Sequence, residues 1–211
     1  MKKTFLLLAV FSLFNIELSY GATGDKSPKN ISNRNEKIYE VTSRELSSFL
    51  EIIPVGAEKQ HGFDNREEFK RAVAGSIYTV VGIDADWNTF STDIYNIPVI
   101  VDNQYKAVIS VSYKDGVYNL ETVGAAELAS ELEKTEPVMA SDHDYIMLNV
   151  YSRASSFVAY PAINTSPETA NFIPLASAKT GLNIASKEIQ STYALPQLIN
   201  IFKAEKIIKA N

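Results

Sequence analysis

The sequence predicts an α+β fold: an antiparallel meander sheet, or two, with helices on one face. Three observations lead there. Residues 77–123 carry strand patterns punctuated by turn residues, and amphipathic stretches with three-and-four spacing flank them on both sides. Strands follow strands and helices cluster, which favours segregated layers over alternating βαβ units. The meander-plus-helix order then partly recurs after residue 145, suggesting two diverged halves.

The first 21 residues read as an export signal. Lys2 and Lys3 make a basic start, Phe5 to Phe14 an apolar run, and Ser19-Tyr20-Gly21 a small-x-small cleavage site. The run is shorter than the roughly 20 residues a membrane span needs, so the mature chain is expected to start at Ala22 with no integral membrane segment. Residues 22–37 (ATGDKSPKNISNRNEK) are polar and bury almost nothing, which reads as a flexible linker. Residues 38–211 form one domain, large enough for one core.

Thr42 or Ser43 caps a first helix, with Glu45 completing a capping box and Leu46, Phe49, Leu50 and Ile53 as its apolar stripe before Pro54. Gly56 to Gly62 is a loop. Asp64 caps a second helix that Gly75 stops. Ile77 to Ile83 is a buried strand, and a polar loop connects it to a strand beginning near Ile94. Ile97 to Val101 turns at Asp102-Asn103 into Tyr105–Tyr113, where Tyr105, Ala107, Ile109, Val111 and Tyr113 share one face. Asp115-Gly116 is a type I′ hairpin turn leading into Val117 to Val123. A short helix follows Gly124, with Ala125, Leu128, Ala129 and Leu132 inward. Tyr145 to Tyr151 and Phe157 to Ala162 are strands, Phe172 to Ala176 and Leu182 to Ala185 shorter extended pieces, and Ser191 to about Lys209 a last helix with Pro196 in its first turn.

Composition narrows the function classes. The chain has no cysteine, which removes disulfides, thiolate metal sites and a thiol nucleophile. Export without disulfides points to a bacterial envelope, periplasmic or secreted. A net charge of −5 with scattered Lys and Arg argues against a nucleic-acid partner. The chain lacks phosphate-cradling glycine loops and a G-x-S-x-G elbow.

Candidate sites are few. GIDADWNTFSTD (82–93) places Asp84, Asp86 and Asn88 at positions 1, 3 and 5 of a calcium loop, but Thr89 and Tyr95 stand where glycine and glutamate belong. Calcium is thus the one cofactor the sequence suggests, against the plainer reading of a polar turn. Asp142-His143-Asp144 and His61 are the remaining metal or acid-base candidates. Trp87, Phe90, Tyr95, Tyr105 and Tyr113 form the candidate binding set, aromatic side chains that either pack the sheet or pave a concave surface for a ligand.

These features predict an exported, non-enzymatic binding protein that holds a protein partner or a small apolar ligand on a sheet face or on the 84–96 loop. Two other readings stay open. One is a carboxylate- or metal-dependent hydrolase drawing on Asp84, Asp86, Asp93, Asp142 and Asp144; the other is an envelope assembly or secretion-system component.

Overall fold

The computed structural model describes residues 33–136, 145–160, 167, 169–181 and 192–208. Among the described residues nine strands make one sheet: β1 (Val73–Ala74), β2 (Tyr78–Ile83), β3 (Thr89–Val101), β4 (Gln104–Lys114), β5 (Val117–Gly124), β6 (Tyr145–Val150), β7 (Ser155–Tyr160), β8 (Asn171–Pro174) and β9 (Tyr193–Ala194). The α-helices are α1 (Asn33–Leu50), α2 (Ala126–Thr135), α3 (Ala176–Gly181) and α4 (Leu195–Ile208). No helix among the described residues is long and apolar enough to cross a membrane.

The strand order is β5-β4-β3-β2-β6-β7-β8-β9, with β1 paired to β3. Two antiparallel meanders start from adjacent central strands and walk outward to opposite edges. β2 and β6 run parallel, with Tyr78 beside Tyr145 and Ile83 beside Val150, so the sheet is mixed rather than purely antiparallel. The fold is α+β.

Alternation along β3 divides the core. Ile97, Val99 and Val101 join Ala107, Ile109 and Val111 against Ile38, Leu46 and Leu50 of α1. Ile100 sits instead with Tyr78, Val80 and Val108 against Ala129 and Leu132 of α2. Leu195, Leu198 and Phe202 of α4 complete a third cluster over Leu148, Val150, Phe157 and Phe172. The expected single helical face is therefore corrected. Tyr95–Val101 is buried without a break, and a strand buried on both sides needs cover on both.

Other expectations also change. α1 begins at Asn33, so residues 33–37 are helical rather than linker, and Thr42 lies buried in the helix instead of capping it. Asn35, Ile38, Thr42 and Leu46 form the inward row, a mostly four-residue spacing that the polar first turns conceal. The second helix is a 3-10 segment, Arg66–Arg71, whose cap is Asn65 accepting from the Glu67 N–H. Asp64 instead pairs with Lys106, Nζ to Oδ2 3.0 Å. Tyr105 leaves the face of Ala107, Ile109 and Val111 because Val99 faces Ala107 while Ile100 faces Tyr105, a bulge at Lys106. Ala176–Gly181 is a helix where the sequence suggested only the end of an extended piece. α4 starts at Leu195, with Pro196 in its first turn as expected. Leu182 to Ala185 lie outside the described residues.

Candidate functional site

The loop between β2 and β3 is shorter and more ordered than its polarity suggests. β3 starts at Thr89, not near Ile94, which leaves Asp84 to Asn88 as the turn. Asp84 builds it. Its Oδ1 accepts from the backbone N–H of Asp86 (2.9 Å) and of Asn88 (2.8 Å), while its Oδ2 accepts from Asn88 Nδ2 at 3.3 Å. The backbone closes the loop through Asp84 N–H to Asn88 O (3.0 Å) and Trp87 N–H to Asp84 O (3.2 Å). The Asn88 N–H, the largest influence, holds the Asp84 carboxyl below its ordinary range despite an opposing desolvation effect. The three candidate calcium ligands are thus tied to one another as an aspartate-capped turn. Among the described residues no group of three or more His, Asp and Glu is placed to hold a metal.

The turn's geometry throws Trp87 backwards. Its φ is +70°, a left-handed conformation that bulky residues rarely adopt. Its indole stacks on Phe202 of α4 with ring centroids 5.7 Å apart and planes 8° from parallel. α4 is fixed from below, where the Arg153 guanidinium donates to the Phe202 carbonyl at 3.0 Å. Between hairpin tip and helix lies an open groove of about 560 Å³, walled by Trp87, Asn88 and Thr89 on one side and Leu195, Pro196, Ile199 and Asn200 on the other. Its wall is mainly apolar, with Asn88, Thr89 and Asn200 as polar residues.

The other candidate aromatics do not converge on this groove. Phe90 lies across Gly82, 6.4 Å from Tyr151, and is 42% exposed. Tyr95 and Tyr113 are brought together through Tyr118, at 6.0 and 4.7 Å, and the Arg34 guanidinium stands 5.5 Å over the Tyr95 ring. Tyr105 is on the α2 side, donating its hydroxyl to Glu136, which also accepts from Ser76 at 3.2 Å. Burial, reinforced by Glu136, pushes the Tyr105 phenol far above its ordinary pKa. Of the two readings the sequence left open, packing on the sheet or paving one concave surface, these positions match the first: with Trp87, the candidate aromatics lie in four separate places. Asp93 sits in a bulge with φ +52° and a 3.4 Å contact to Ser91 Oγ. His61 Nδ1 lies 3.3 Å from the Val123 carbonyl. Asp142, His143 and Asp144 lie outside the described residues.

Sequence reading missed Pro196 and Asn200 as groove residues. Leu195 belonged to an expected inner stripe, but nothing local announces that the 84–88 turn meets this helix. Only the unusual position of a lone tryptophan in a polar turn hinted at a packing partner. Comparison with protein-family models, with curated proteins and with solved structures finds no match to this chain.

Proposed function

We propose that this chain is an exported binding protein, and that the groove between Trp87 and α4 holds a small apolar ligand. The observation that carries the reading is the left-handed backbone at Trp87. A glycine would satisfy that conformation without strain, yet the position carries the largest side chain available, held against Phe202 as a wall of the groove. Backbone strain maintained by its surroundings is a pointer to function. The volume falls within the ~300–1,000 Å³ typical of small-molecule sites, and apolar walls with a few polar groups are their usual chemistry. Export rests on the amino-terminal pattern of the sequence. The hydrolase reading loses support because Asp84 is engaged within its own turn, while Asp93 lines a different groove.

Trp87 is the chain's single tryptophan, so it reports its own site. Titration with anilinonaphthalene sulfonate should quench Trp87 emission saturably and with one-to-one stoichiometry. Ile199→Glu, which puts a charge on the half-buried groove wall, should weaken that binding at least ~10-fold while leaving the circular dichroism spectrum unchanged. Equal quenching in both proteins would defeat the proposal.

A further inference from the structure

We infer that a second groove, on the α2 side of the sheet across β3, β4 and β5, binds a neutral polyhydroxylated ligand, a saccharide. The groove has a volume of about 520 Å³. Its floor is β4, where Ser110 and Ser112 face the same side and are already oriented. Ser110 Oγ donates to Asn96 Oδ1 at 2.9 Å, Asn96 Nδ2 approaches Met147 Sδ at 3.3 Å, and Ser112 Oγ donates to Glu121. Thr122 adds a third hydroxyl.

Two irregularities flank this floor. On β3, Thr79 of β2 faces Tyr95 but Val81 faces Ser91, so Thr92, Asp93 and Ile94 together oppose Val80, a two-residue bulge that brings Asp93 to the groove. On β5, Ser110 faces Thr122 while Val111 faces Leu120, leaving Glu121 as the extra residue at the opposite wall. Bulges re-aim side chains, and these two serve one groove from both sides. Lys114 stands 3.7 Å from Glu121, while the Tyr113 ring turns to the other face of the sheet, against Tyr118.

The lining selects the ligand by elimination. An apolar molecule would strip water from hydroxyls and carboxylates without replacing its hydrogen bonds. An anion would meet Asp93 and Glu121, and a compact cation would meet Lys114. A sugar supplies donors to the carboxylates and acceptors to Lys114 and the serine and threonine hydroxyls. The Ser112 hydroxyl, with Lys114 second, holds Glu121 below its ordinary pKa, so it accepts hydrogen bonds over the neutral range. This inference is independent of the Trp87 groove.

The test is an array of neutral, sulfated and sialylated glycans probed with the full chain, followed by amide chemical-shift mapping with the tightest neutral glycan. Binding should favour neutral glycans, with shifts confined to 92–94, 110–114 and 121–122. Glu121→Gln and Thr122→Val, both at exposed positions, should each weaken it by about tenfold, and Trp87→Phe should leave it unchanged. Binding to no neutral glycan, a preference for charged ones, shifts mapping elsewhere, or undiminished binding by both groove variants would overturn the assignment.

Discussion

Tyr78 shows how a single atom can oppose the fold around it. Its ring is fully buried and stacks on Tyr145 at 5.0 Å, yet its hydroxyl has no hydrogen-bond partner among the described residues. Desolvation, with Glu136 as the next influence, pushes this phenol well above its ordinary pKa, so it stays protonated. Leaving a buried hydroxyl unpaired costs about 1–3 kcal/mol. Tyr78→Phe should therefore raise stability by about 1 kcal/mol in a urea melt; a loss of that size would mean the hydroxyl is satisfied. Gly62 is the opposite case. Its φ is +92°, and a Cβ there would lie 1.9 Å from the Lys106 carbonyl oxygen, which is backbone and cannot swing away. Gly62→Ala should cost about 3 kcal/mol or more. At Gly82 the obstructing atoms belong to the half-exposed Phe90 ring, so Gly82→Ala should cost distinctly less in the same melt.

At the scale of elements, the β2–β3 hairpin depends on Asp84 more than on any apolar contact in its turn. Three donors converge on one carboxylate, and they fix the backbone that turns Trp87 onto Phe202. Asp84→Ala should lower stability by about 1–2 kcal/mol and shift Trp87 emission to the red as the indole gains water. A destabilised protein with unshifted emission would show that Phe202 packing alone positions the ring. Much of this hairpin was legible beforehand: the polar turn was expected, as was Trp87 folding back as one of two outcomes. The strand start at Thr89 was not. Residues 89–94 are half or fully exposed and mostly polar, without a period-two apolar pattern, so their extended form comes from pairing with β2 rather than from their own pattern.

For the whole molecule, surface carboxylates give stability an acid limit. Asp64, Asp84, Asp102 and Glu121 all have folded pKa values below their ordinary ones, caused first by Lys106, the Asn88 N–H, Arg71 and Ser112 respectively. A lowered folded pKa means the folded state binds fewer protons than the unfolded chain. That contribution is complete above the unfolded value near 4 and fades as pH falls through the folded values. The melting temperature should thus be flat from pH 7 to about 5 and fall steeply below about 4, and less steeply in Asp102→Asn, which removes one such group. High salt should blunt the difference, because these pairs are exposed.

The sequence alone determined the parts of this protein that follow from local rules. The Asp102-Asn103 and Asp115-Gly116 turns have positive φ at their central residues, the apolar stripes of α2 and α4 face inward, and a strand-rich centre flanked by helices is α+β. Tertiary structure decided what depends on distant partners. The parallel pairing of β2 with β6 joins segments more than sixty residues apart, and covering both faces of β3 required two helices from different parts of the chain, α1 and α2. The bulges that turn Tyr105, Asp93 and Glu121 are register events between strands, invisible within one strand. The Trp87 groove arises where elements remote in sequence meet, residues 87–89 and 195–200, whereas the second groove lies across three consecutive strands. Side-chain periodicity specifies which face of an element is apolar, but it carries no information about which other element will cover that face.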